Sequence, residues 1–105
     1  MMIKLYAGKS LEVNEEGFLV NSQAWDEEVA TAIAADEGIG PLTTDHWKVI
    51  HFMRQAFVQK GEGPTIRTLT KESGVDTKLL YQLFPKGPAK RAARIAGIPK
   101  PHGCI

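Results

Sequence analysis

Apolar residues recur at two different spacings along this chain, and the change of spacing separates a short strand region from a longer helical one. Strict alternation in Ile3-Lys4-Leu5-Tyr6 and in Leu11-Glu12-Val13, on either side of Ala7-Gly8-Lys9, predicts a small β-hairpin turned at Gly8. A second turn at Asn14 to Gly17 leads into Phe18-Leu19-Val20. An isolated hairpin is marginal in water, so this ribbon is expected to lie on a helical body.

That body follows. Asp26 is placed to cap a helix running to about Glu37, with Trp25, Val29 and Ile33 along one face and Gly38 as its stop. Thr43 or Thr44 opens the clearest helix of the chain, to about Gln59, which buries Val49, Ile50, Met53 and Phe57, ends at Lys60-Gly61 and is expected to be central. After the loop Gly61-Glu62-Gly63-Pro64, three shorter helices are predicted: about 65–73 with Ile66 and Leu69 inward, about 77–84 with Leu79, Leu80 and Leu83 inward, and about 88–96. The last nine residues, Gly97 to Ile105, cannot be helical, since Pro99 and Pro101 remove donors and hold the backbone extended. Gly97 at the base and Gly103 near the tip make this stretch read as a movable arm.

At 105 residues and 43% apolar content, the chain is expected to form one domain, residues 1–105, with a core large enough to fold without disulfides or a structural metal. One cysteine, Cys104, excludes an internal disulfide and a Cys-rich zinc site, and His46, His51 and His102 lack a metal-ligand pattern. The N-terminus lacks the apolar core of a signal peptide, and the longest apolar stretch, around Val29 to Ala35, is too short to span a bilayer. A cytoplasmic protein with a reduced thiol and no membrane partner is expected.

The net charge of +1 conceals an asymmetry: residues 1–45 carry nine acids against Lys4 and Lys9, net −7, while 46–105 carry eleven bases against three acids, net +8. Such a dipole favours oriented docking on charged partners, and the basic half suits nucleic acid or an acidic protein surface equally.

Helix 65–73, the break Gly74-Val75-Asp76 and helix 77–84 have helix-turn-helix spacing. As a DNA reader, the second helix would present Asp76, Thr77, Lys78, Tyr81 and Gln82, with a single basic residue among them. Phosphate contacts dominate affinity for DNA, so two packed helices joined by a glycine turn is the better reading. His46 and His51 diverge on their helix, Trp25 and Trp47 fall at core positions, and the adjacent carboxylates Glu15/Glu16 and Glu27/Glu28 suit a solvated acidic face more than an acid/base pair.

Lys86-Gly87-Pro88-Ala89-Lys90-Arg91-Ala92-Ala93-Arg94 holds four bases and no acid, and it directly precedes the arm. Lys90, Arg91 and Arg94, with Lys100 and His102, are therefore expected to form a docking surface, although a solvated basic face has the same pattern. Cys104 is the candidate reactive group. A penultimate cysteine on a Pro/Gly arm has nothing obvious to be buried in; nearby Lys100 and His102 favour its thiolate, and the terminal carboxylate of Ile105 opposes it. A thiol so placed suits sulfur handed between proteins better than hydrolysis of a small substrate, which needs a pocket and an oxyanion site.

The run Leu83-Phe84-Pro85-Lys86-Gly87-Pro88-Ala89-Lys90, followed by Ala96-Gly97-Ile98-Pro99-Lys100-Pro101-His102-Gly103-Cys104-Ile105, resembles the C-terminal signature of the DsrC/TusE family. The resemblance extends to Gly8-Lys9-Ser10, Asn14-Glu15-Glu16-Gly17-Phe18-Leu19 and Asp45-His46-Trp47. It implies a mainly α (α+β) fold: a small orthogonal helical bundle with an N-terminal β-hairpin, a helix-turn-helix-like unit and a mobile arm, 97–105, whose penultimate cysteine carries sulfur as a persulfide. In the DsrC branch a second redox cysteine stands eleven positions earlier, where this chain has Ala93. The single-cysteine pattern is similar to the TusE branch, which implies a sulfurtransferase that takes sulfane sulfur from a TusBCD-like complex and passes it toward a tRNA thiouridylase making wobble 2-thiouridine, without metal or organic cofactor. The DsrC branch implies instead a partner of sulfite reductase in dissimilatory or oxidative sulfur metabolism, and the helix-turn-helix spacing leaves a DNA-binding regulator as a further alternative.

Overall fold

The computed structural model of the chain describes residues 2–101. Strands β1 (Met2–Tyr6) and β2 (Lys9–Val13) pair antiparallel from Tyr6↔Lys9 to Met2↔Val13. Ala7 at φ 53° and Gly8 at φ 77° make the two-residue turn, because two left-handed residues match the right-handed twist of the flanking strands. Asn14 closes the next turn, its side chain accepting from the Glu16 and Phe18 N–H groups at 2.9 and 3.0 Å. Leu19 then forms a bridge to Val13. Tyr6, Leu11 and Val13 point into the core, while Lys4, Lys9 and the Tyr6 hydroxyl reach acids at the two ends of the first helix.

Five helices follow: α1 (Glu27–Asp36), α2 (Thr44–Lys60), α3 (Ile66–Ser73), α4 (Thr77–Leu83) and α5 (Pro88–Ile95). The expected α+β architecture, with its hairpin and its α3–Gly74–α4 helix-turn-helix-like unit, is present. Local chemistry sets the boundaries. Asp26, Thr43, Thr65 and Asp76 each accept from the backbone N–H three residues on, satisfying donors that a helix start leaves free.

Two expectations change. Trp25 does not lie on a face of α1; it precedes the Asp26 cap in extended backbone, half-buried, and turns toward α5. Phe57 on α2, Ile66 on α3 and Leu79 on α4 are half-buried, packed against the core, while Val49, Ile50 and Met53 are fully enclosed. α2 is the longest helix, and the much shorter α5 also packs against each of the other four. Its buried face is Ala89, Ala92 and Ala93, continued by Ala96 past its end, each fully enclosed, and such small side chains let neighbouring helices approach closely.

Candidate functional site

The arm predicted at 97–105 leaves the body from the end of α5, and Gly97, Ile98 and Pro101 at its base are buried. Gly97, at φ 71°, donates to the Arg94 carbonyl at 3.2 Å, and Ile98 donates to the Ala93 carbonyl at 3.1 Å. These two bonds form a Schellman cap, whose left-handed position glycine occupies without strain. Ile98 is fully buried, as the apolar residue following such a cap commonly is.

Two side chains from distant elements hold this end of α5. The Trp25 indole N–H donates to the Ile95 carbonyl at 2.7 Å. Arg54 of α2 donates from Nη1 to the Ala96 carbonyl at 2.8 Å and from Nη2 to the Ser22 carbonyl at 3.2 Å, with its guanidinium over the Trp25 ring at 4.1 Å. Burial pushes the Arg54 pKa below its ordinary value. The charge faces the C-terminal end of a helix, where the backbone dipole favours a cation. Further along, a Cβ on Gly63 would stand 3.0 Å from Ile98 Cδ1 and 3.4 Å from Pro101 Cγ, so the loop before α3 forms the seat of the arm's base.

At the base of the expected arm Gly97, Ile98 and Pro101 are buried, Pro99 is exposed and Lys100 is half-buried. Lys100 pairs with Glu16 at 3.2 Å, both side chains substantially exposed. His102, Gly103 and Cys104 lie outside the described residues.

The basic segment divides. Arg94 Nη1 meets Glu37 Oε1 at 2.6 Å, and Arg91 Nη1 donates to the Glu37 backbone carbonyl at 3.2 Å and lies 3.6 Å from Oε1. The Glu37 side chain is 8% exposed, and the Arg94 guanidinium also covers the Phe18 ring at 4.9 Å. Arg91 and Arg94, expected as docking charges, thus spend their charge joining α5 to the end of α1. Lys90 is half-buried and makes no ion pair among the described residues.

His46 is buried in a structural role. Its Nδ1 accepts from the Thr43 N–H at 3.1 Å in a capping box, so the proton sits on Nε2 and is donated to the Leu83 carbonyl at 3.0 Å. His51 meets Glu27 at 3.1 Å and stacks on Trp47. No group of three His, Cys, Asp or Glu side chains among the described residues is arranged to hold a metal. Sequence reading missed Trp25 and Arg54 as holders of the arm's base; the available signal was Ile98, an aliphatic side chain inside a Pro/Gly tail that needs somewhere to bury.

Cys104 stands three residues beyond Pro101 in the sequence, outside the described residues. Residues 5–105 match the family described as DsrC like protein. The chain belongs to that family. It is 42% identical over 100 residues to the Nitratidesulfovibrio vulgaris protein named sulfite reductase, dissimilatory-type subunit gamma, covering 95% of each chain. It is 43% identical over 108 residues to the Escherichia coli protein named sulfurtransferase TusE, covering 96% of this chain and 98% of that one. The solution structure of Allochromatium vinosum DsrC superposes with a TM-score of 0.84 at 39% identity, over 99% of this chain and 100% of that one. Near-equal similarity to the two named kinds of relative places the fold firmly and leaves the branch to the cysteine pattern.

Proposed function

We propose that this DsrC/TusE-family protein is a sulfur carrier that holds sulfane sulfur as a persulfide on Cys104 and relays it between proteins in tRNA wobble 2-thiouridine synthesis. The observation that carries the reading is the lone cysteine: Cys104 has no second cysteine to pair with, and the position of the second redox cysteine of the DsrC branch is here Ala93, fully buried in α5. One thiol cannot close an intramolecular disulfide; it can accept a sulfur atom and give it up again.

The chemistry balances without an external redox agent. The Cys104 thiolate attacks the outer sulfur of a donor persulfide, that S–S bond breaks, and the donor leaves as a thiolate while Cys104 becomes the persulfide. An acceptor thiolate then attacks the outer sulfur on Cys104 and regenerates the thiolate. A TusBCD-like complex is the donor and a tRNA thiouridylase the acceptor in this scheme, with Lys90, Lys100 and His102 as candidate docking residues. Near-equal identity to the gamma-subunit relative supports a second reading, a sulfite reductase partner working with one thiol.

Intact mass after incubation with a persulfide donor tests the chemistry: Cys104 gains about 32 Da, one sulfur atom, and Cys104→Ser does not. Absence of that adduct with every competent donor overturns the carrier. Co-purification separates the branches, since a thiouridylase supports tRNA thiolation and sulfite reductase subunits support the second reading.

A further inference from the structure

We propose that the groove between α3 and α4 is the docking site for an acidic, apolar-tipped segment of the protein that exchanges sulfur with Cys104, an inference that rests on the relay reading above. The groove measures about 770 Å³, a size that suits a short peptide segment. Ile66, Tyr81 and the threonines 65, 70 and 77 line it, and Arg67 and Lys71 stand along its rim. Tyr81, 48% exposed, is the one aromatic among the exposed large apolar side chains of the described residues, and half-open tyrosines of this kind are characteristic anchors of protein interfaces. Thr70 and Thr77 hydroxyls bond to each other at 3.0 Å across the groove, linking α3 to α4.

The rim selects the charge of the occupant. Arg67 and Lys71 are exposed, and neither has an ion pair among the described residues, in contrast to Arg91 and Arg94. Glu72, the nearest acid on α3, lines a different depression, with Phe52 and Gln55 of α2. Unanswered cations beside an apolar trough complement carboxylates flanking an apolar side chain. Nucleic acid fits less well, because α4, the helix that would enter a major groove, brings only Lys78.

Position ties the groove to sulfur transfer. Thr65, at its end, lies two residues beyond Gly63, the residue on which Ile98 and Pro101 rest. Cys104 is three residues past Pro101, so its Cα can stand no more than about 11 Å from that anchor. The groove therefore begins next to the loop on which the last described residues of the chain rest.

The test measures sulfur exchange between the full-length protein and the donor complex and thiouridylase of the same organism, alongside loading of Cys104 by glutathione persulfide. Arg67→Glu combined with Lys71→Glu, and separately Tyr81→Ala, should slow protein-to-protein exchange by about tenfold or more, while glutathione persulfide loading is unchanged and shows that the fold and the thiol are intact. Unchanged exchange in both variants, with loading intact, overturns the groove and leaves the relay standing. Failure of unmodified protein to load from any donor overturns the relay and the groove together. Loss of duplex DNA binding in the charge-reversed variant, with exchange intact, assigns the surface to nucleic acid and likewise overturns the proposal.

Discussion

Gly97 lies against Trp25 so closely that a Cβ added to it would fall 2.4 Å from Trp25 Cδ1 and 2.7 Å from Cγ. No other glycine of the described residues is approached as closely, and the contact sits where α5 ends and the arm's base begins.

Gly97→Ala therefore meets two penalties, the left-handed backbone at φ 71° and the indole. Gly38→Ala meets only the first, since φ there is 77° and nothing lies within 4 Å of the added carbon. Urea unfolding should show a loss of about 1–2 kcal/mol for Gly38→Ala and a further 1–3 kcal/mol for Gly97→Ala. Equal losses would remove Trp25 from the account.

Trp25→Phe retains most of the ring and deletes the donor to the Ile95 carbonyl. Leaving that carbonyl unsatisfied should cost about 1–3 kcal/mol. The more specific readout is amide hydrogen exchange: Gly97 and Ile98 N–H groups should exchange faster relative to Met53 in the middle of α2. Uniform acceleration across the chain would indicate a general loss of stability and no local hold on the arm's base.

Glu37→Gln removes the anion that two half-buried guanidiniums share. Breaking such a pair by deleting one partner costs about 3–5 kcal/mol when both groups are fully buried, and the residual exposure of Arg91 and Arg94 reduces this to about 2–3 kcal/mol. Lys100→Ala, at an exposed pair with Glu16, should change stability by less than about 0.5 kcal/mol. Chemical denaturation of the two variants separates the internal charges from the external one.

Asp26 links pH to the hairpin and α1. Lys9 donates to its carboxylate, and the Val29 N–H adds to this, so its pKa is held below the ordinary carboxylate value. A carboxyl group depressed in the folded state stabilises above its unfolded pKa, and that contribution disappears as pH falls through the folded value. Asp26→Asn keeps a competent helix cap and loses the charge. The variant should melt below the parent protein at pH 7, and the gap should close on acidification below the usual carboxylate range. A gap independent of pH would assign the difference to the cap alone.

Helix limits were legible because they are written in neighbouring residues: cap side chains at 26, 43, 65 and 76, and left-handed glycines at 38, 61, 74 and 97. What could not be read was charge pairing across the fold. Glu37 precedes Arg94 by 57 positions, and Glu16 precedes Lys100 by 84, so a count of bases in the C-terminal half includes cations that acids of the N-terminal half already neutralise. The sequence dipole is partly discharged within the molecule. Burial of the arm's base was hidden for a related reason: glycine and proline composition describes backbone freedom, whereas Ile98, Trp25 and Arg54 decide whether that freedom is used.

The small-residue face of α5 bears on how relatives of this protein could diverge. Ala93 is fully enclosed, and its carbonyl receives the Ile98 amide at the turn into the arm. Alanine and cysteine differ there by one heavy atom, a sulfur in place of a hydrogen, the smallest enlargement that close packing could be asked to absorb. A cysteine can thus stand at this position through one codon change, with the helix, its cap and the path of the chain all kept.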